Sequence, residues 1–149
     1  MRKNFPDVPP VWLAGTMVAS WGLGAALPSP SFGAVGHWAG GAMIAGALAA
    51  MVWAGVWFWR KKTPIEPHHD PRALIVEGPY RVSRNPIYLA LMVVALGFAL
   101  RQGGIAALLP LPLLFLALDR RFAAPEEAKL RAAFGPEAED YLARTRRWI

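Results

Sequence analysis

The chain has 149 residues, of which 55% are hydrophobic and 17% charged, with seven Trp and no Cys. A soluble domain carries about 25% charged residues, so this composition excludes a disordered chain, a disulfide framework and thiolate chemistry. The charges are also segregated, leaving long stretches almost without them, as in a protein that crosses a membrane several times.

The first apolar stretch spans about residues 11–27 and runs into Pro28-Ser29-Pro30-Ser31, which is turn chemistry. The second covers about 34–59 and stops at Arg60-Lys61-Lys62. It is rich in small residues, and its Gly36 and Gly40 form a GxxxG pair that lets another backbone come close. That pair is read as a seam inside the bundle rather than between copies. A polar loop over 60–85 follows, whose Pro64, Pro67, Pro71 and Pro79 rule out a long helix. Within it, Ala73-Leu74-Ile75-Val76 reads as a short extended piece and Gly78-Pro79 as a turn. The third stretch, 86–100, starts on Pro86, a residue suited to a first helical turn, and ends at Arg101-Gln102-Gly103-Gly104. The fourth, 105–118, stops at Asp119-Arg120-Arg121. The last two hold about 14–16 apolar residues each, at or under the roughly 17 needed to cross a bilayer. They are predicted to form a short antiparallel hairpin whose second arm Pro110 and Pro112 would bend.

The predicted fold is all-α, a single integral membrane domain over 1–149. It is a bundle of four transmembrane helices with a cytoplasmic Pro-rich loop and a C-terminal amphipathic helical segment over 119–149. In that tail, Pro125 with Glu126 and Glu127 reads as a helix start, Gly135 as a stop, and Pro136 as the opening of a second short helix carrying Tyr141 and Leu142.

Charge supports this topology. With the amino terminus in the cytoplasm, every Lys and Arg except Arg101 falls on the inner side, as do all ten acidic residues. The net charge of +6 then reflects topology and attraction to anionic lipid, with no need for nucleic acid. Both termini are expected in the cytoplasm, and the membrane is the cell membrane if the source is prokaryotic. A cleaved signal peptide fits poorly, because the apolar region is long and contains Trp12 and Trp21.

Other signals are weak. His68-His69-Asp70 are three consecutive residues in a Pro-rich loop and make no metal site, and His37 reads as a hydrogen-bonded residue at the outer interface. Gly22-Leu23-Gly24 lies inside a span with no strand ahead of it, so it is no dinucleotide fingerprint, and no nucleophile elbow is present. Chemistry concentrates instead in two cytoplasmic stretches. Arg81, Arg84 and Asn85 stand just ahead of a helix start, a combination that suits an anion and equally an inside-positive anchor. Glu126 and Glu127 are their acidic counterpart in the tail.

From Thr63 to Ile149 the chain resembles the isoprenylcysteine carboxyl methyltransferase and phospholipid methyltransferase superfamily of membrane enzymes. The resemblance rests on Leu74-Ile75-Val76-Glu77-Gly78-Pro79-Tyr80-Arg81 and Ser83-Arg84-Asn85-Pro86-Ile87-Tyr88-Leu89. After the hairpin it continues with Glu126-Glu127, Leu130, Phe134-Gly135, Tyr141 and Arg146-Arg147-Trp148. It implies S-adenosyl-L-methionine as methyl donor, bound in a cytoplasm-facing pocket without a Rossmann domain. By resemblance, Val76, Gly78, Pro79, Tyr80, Arg81, Arg84, Asn85, Pro86 and Tyr88 would line that pocket and Glu126 and Glu127 would close it. Arg84, Asn85 and Glu127 would have catalytic roles. Asn85 stands where many members have His. The implied acceptor is lipophilic or partitions into the membrane, either a prenylcysteine-like carboxylate or a lipid amine. Membrane lipids are the other partners, with no metal. The alternatives are an NADPH-dependent membrane reductase of the sterol-reductase type, which shares a similar Arg-His-Pro-x-Tyr run, and a non-enzymatic membrane scaffold.

Overall fold

A computed structural model describes residues 7–65 and 69–149. Among them the structure is helical, and the one β-pairing is an isolated bridge between Ser31 and Gly104. Helix α1 spans Pro9–Ala26, α2 Gly33–Lys61 and α3 Pro86–Arg101. A 3-10 turn at Ile105–Leu108 leads into α4, Leu111–Ala117; α5 is Ala124–Phe134 and α6 Pro136–Arg144.

Helix α3 is the hub. Ala90, Leu91, Val94, Ala95 and Ala99 are all buried along it, and α1, α2 and α4 each pack on it. The α2–α3 seam is the closest, because glycine faces glycine: a Cβ on Gly97 would stand 2.6 Å from the Gly40 carbonyl oxygen, and one on Gly40 would collide with the Gly97 carbonyl. Gly36 and Gly40 therefore lie on an intramolecular seam, where small residues let two helix backbones approach closely. At the far end of that seam the Arg101 Nη1 donates to the His37 carbonyl oxygen at 3.0 Å. The two turns at this end are tied together by Phe32 N–H to the Gly103 carbonyl at 2.8 Å and Ile105 N–H to the Pro30 carbonyl at 3.3 Å.

Among the described residues one helix, α2, is long and apolar enough to cross a membrane, and α3 is a shorter apolar helix. At 29 residues, α2 is roughly 43 Å long against a hydrocarbon core of about 30 Å. Its flanks stay open: Val35, Trp38, Val52 and Trp59 are all more than two-thirds exposed.

Two expectations are corrected and a third is refined. The fourth apolar stretch does not end as a helix at Leu118: residues 118–123 form a π turn that joins α4 to α5 in one helical rod, Leu111–Phe134. Pro110 and Pro112 do not bend a continuous helix: the arm changes there from the 3-10 turn at Ile105–Leu108 to α4, and the prolines sit at the N-cap and in the first turn of α4, where no intrahelical donor is lost. Pro125 with Glu126 and Glu127 stands in the first turn of α5, as expected, but that helix has no free start, because Ala123 ahead of it is already helical. The physical reason is the widened turn. The Ala124 N–H donates to the Asp119 carbonyl, so the ladder steps back five residues and accommodates a proline that cannot donate.

Candidate functional site

The connector between α2 and α3 and the two C-terminal helices meet at one end of the bundle. Helix α2 ends with Lys62 in the left-handed region, φ 52°. The next regular element among the described residues is a 3-10 turn at Gly78–Arg81. Gly78 has φ +58°, and any side chain there would collide with the Trp57 indole, so glycine alone fits. Ile75 and Tyr80 are buried against Ala54 of α2, which pins the connector across the end of the bundle.

The C-terminal segment clasps this connector. The Tyr141 hydroxyl donates to the Tyr80 carbonyl at 2.9 Å. Arg84 donates from its backbone N–H to the Arg146 carbonyl at 2.9 Å and from its guanidinium to the carbonyls of Thr145 and Leu142. Ser83 Oγ and Asn85 Nδ2 both donate to the Arg147 carbonyl, at 3.2 and 3.1 Å. The amphipathic face of α6, with Ala138, Tyr141 and Leu142 buried, is thus spent on protein.

At the centre lies Glu127, whose side chain is 3% exposed. The Arg84 Nη1 stands 3.1 Å from its Oε2, and Arg147 grips it with Nε on Oε1 at 2.8 Å and Nη2 on Oε2 at 2.9 Å. Arg147 Nη1 reaches on to Asp119 at 3.3 Å, and Trp148 Nε1 donates to the same carboxylate at 3.0 Å. The π turn makes this possible. In a regular α-helix, residues eight apart diverge by about 80°; absorbing one extra residue makes them act as seven apart, about 20° from alignment. Asp119 and Glu127 can therefore be spanned by one guanidinium. Burial pushes the Glu127 carboxyl up, but the hydrogen bonds from Arg147 and Arg84 outweigh it and hold the group below the ordinary carboxylate range.

The neighbouring Glu126 sits differently. The Tyr88 hydroxyl of α3 donates to its Oε1. Burial raises its pKa to about 7, opposed by that hydrogen bond and by the charge of Lys129. Burial likewise holds the Tyr80 and Tyr141 hydroxyls un-ionised.

Two adjoining cavities meet here. The first, about 100 Å³, is of mixed polarity; its walls include Tyr80, Arg84, Asn85, Glu126, Glu127, Lys129 and Tyr141, with Ala73, Leu74 and Ile75 of the connector. The second, about 330 Å³, is predominantly apolar and opens between the starts of α1 and α3 and the end of α2, with Val8, Pro9, Met51, Phe58, Ile87, Tyr88 and Leu91 in its walls. Phe58, Ile65, Tyr80, Arg84, Asn85 and Glu126 border both. Together they reach the volume typical of small-molecule sites, about 300–1,000 Å³.

Of the residues grouped by the sequence, Tyr80, Arg84, Asn85, Tyr88, Glu126 and Glu127 thus border these two cavities. Val76 and Arg81 line a separate cavity with Arg144, Pro79 and Pro86 line an apolar groove on the α2–α3 face, and Gly78 packs on Trp57. Arg147 and Asp119 were not singled out for the site; the only signal was their place in the terminal Arg146-Arg147-Trp148 run and in the polar stop after the fourth apolar stretch. No group of His, Asp and Glu suited to a metal occurs among the described residues. His69 lines the first cavity, while His68 lies outside the described residues.

Fold and site define a class: a helical protein with, among the described residues, one helix long and apolar enough to cross a membrane and a charged clasp over a cleft at one end. A family model described as phospholipid methyltransferase matches residues 35–137. With well over half of its length matched, the chain belongs to the phospholipid methyltransferase family, a family of membrane-associated methyltransferases. No curated protein and no solved structure matches it.

Proposed function

We propose that this chain is an S-adenosyl-L-methionine-dependent methyltransferase that modifies a lipophilic acceptor at the cytoplasmic face of the membrane. The observation that carries the proposal is the junction of a charged cavity with an apolar one at Arg84, Asn85 and Glu126.

The wall of the first cavity, with the space it shares with the second, suits the donor. S-adenosyl-L-methionine, when bound, supplies a methyl group on a sulfonium, and it also bears an ammonium and a carboxylate. Both signs of charge are present in the wall. Arg84 keeps N–H groups beyond those given to Leu142, Thr145 and Glu127 and can take a carboxylate. Glu126 and Glu127 offer acceptors for ammonium or ribose hydroxyls, and Asn85 retains its carbonyl oxygen. Holding the reactants in line is most of what methyl transfer requires, and orientation can supply up to roughly 7–11 kcal/mol.

The second cavity suits the acceptor. Its apolar walls lie between α1 and α2, which each pack on α3, so a lipid chain can enter sideways from the bilayer. An amine acceptor must lose a proton, and Glu126, at the junction and with a pKa raised to about 7, is placed to take it. A carboxylate acceptor needs no base and gains from the exclusion of water. In this reading α1, α2, α3 and the apolar half of the 111–134 rod form the four spans, and both termini face the cytoplasm.

Calorimetric titration of the purified protein tests the assignment. Binding of S-adenosylhomocysteine, with none of NADPH, supports it; the opposite result replaces it with the reductase reading, and binding of neither leaves the scaffold reading.

A further inference from the structure

Behind the cleft, on the other side of Tyr141, lies a cavity of about 340 Å³ lined by Val76, Glu77, Arg81, Tyr141, Arg144 and Thr145. We propose that Arg81 and Arg144 form a binding site for the phosphate of an anionic phospholipid of the inner leaflet, separate from the methyl-transfer cleft.

Charge comes first. Both guanidiniums are exposed, and neither forms an ion pair or hydrogen bond among the described residues. The acidic member of the wall, Glu77, is already held by Lys61, so this pair adds no net charge. What faces the cavity is two uncompensated guanidiniums, the donor geometry that matches a phosphate.

Position comes second. Arg81 sits five residues ahead of Pro86, the first residue of α3, at the level where that helix would leave the hydrocarbon. The turn that carries Arg81 continues into an apolar groove of about 440 Å³, where Pro79 and Val82 meet Leu89, Val93 and Trp53. Val82 is 65% exposed. A phosphate at Arg81 thus has a lipid-facing furrow beside it for the attached chains, which a free phosphate would not use. An anionic lipid is favoured over a zwitterionic one because the one carboxylate lining this cavity, Glu77, is already paired with Lys61.

Coupling follows from the shared wall. Arg144 is the last residue of α6, and Tyr141 of that helix lines both this cavity and the cleft. A phosphate bridging Arg81 and Arg144 would tie α6 to the lead-in of α3, beside the strap that Arg84 already makes to Leu142 and Thr145.

The inference rests on the bilayer seating proposed above and is independent of methyl transfer. The test uses full-length protein in nanodiscs of phosphatidylcholine with a minor fraction of phosphatidylglycerol, and reads retained lipid by native mass spectrometry. Arg81→Ala and Arg144→Ala should each lower retained phosphatidylglycerol roughly tenfold, the equilibrium counterpart of a lost charge-assisted hydrogen bond. Arg120→Ala, which removes one exposed charge elsewhere, should change it less than about twofold. Equal losses in all three, or no loss in either site variant, would overturn the site in favour of diffuse attraction. Displacement of the lipid by inorganic phosphate would overturn the lipid assignment in favour of a soluble ligand. Co-elution with the disc checks seating separately, and Arg144→Gln on the exposed surface stands in if an alanine variant does not fold.

Discussion

The guanidinium of Arg84, at the threshold of α3, lies 3.1 Å from the carboxylate of Glu127, on the helix that returns from the opposite end of the bundle. Arg147 closes the same carboxylate from the tail. Three remote parts of the chain are therefore locked around one buried charge. Removing one partner of a buried ion pair costs up to about 3–5 kcal/mol, an upper bound here because Arg84 keeps its carbonyl acceptors and Arg147 keeps Asp119.

Glu127→Gln should accordingly destabilise the protein by up to that amount and abolish S-adenosylhomocysteine binding, as read by thermal unfolding and calorimetry in detergent. The acid limb should change too. With its folded pKa below the ordinary 4.5, ionised Glu127 contributes stability above pH 4.5 that is lost as pH falls through the lower folded value. The variant should lack this component. Arg147→Ala should reproduce the loss of stability and weaken ligand binding without touching the connector.

Glu126 has the opposite linkage. Its pKa rises from 4.5 unfolded to about 7 folded, so the folded state holds the proton more tightly. Its contribution is fully present below pH 4.5, falls as pH rises through that window, and is flat above 7, a total of up to about 3 kcal/mol. Glu126→Gln should remove this decline when unfolding is compared at about pH 5 and about pH 8.

Tyr88→Phe deletes the hydroxyl that donates to Glu126. That hydrogen bond lowers the Glu126 pKa, so its loss should move the midpoint of the stability–pH curve upward. An unshifted midpoint would separate Tyr88 from the titration.

The helix seam gives a prediction free of chemistry. Gly40→Ala drives a methyl into the Gly97 carbonyl, whereas Gly46 has nothing within 4 Å of an added Cβ. Gly40→Ala should cost about 1–3 kcal/mol. Gly46→Ala should be neutral or slightly stabilising, since it removes a helix-interior glycine. Unfolding of the two variants in the same detergent checks the contrast.

Much of the frame was legible because composition and local chemistry carry it. Pro86 begins α3 as its ring geometry demands, and the basic Arg60-Lys61 pair closes α2. Gly135, with φ +51°, separates α5 from α6 as a residue without Cβ can. The GxxxG seam was legible for the same reason, since only glycine lets two backbones meet. The continuous rod was not. Asp119-Arg120-Arg121 and Pro125 are ordinary stop and start signals, and nothing local announces that a π turn will carry a helix through them. The clasp was legible only in part: the run with Arg84 and the Glu126-Glu127 pair stood out, whereas Arg147 belonged only to the terminal Arg146-Arg147-Trp148 run and Asp119 to a stop signal, with nothing local to join them.

By itself, the sequence determined that the chain is helical and apolar, where its main turns fall, and that its charge gathers at one end; each follows from residue type over a few neighbours. Only the tertiary structure decided which charges meet. Pairing Arg84 with Glu127, adding Arg147, and setting Arg81 apart with Arg144 depend on how α3 and the rod pack and on one widened helical turn. A rotation of tens of degrees in that turn would send the same carboxylate to a different partner.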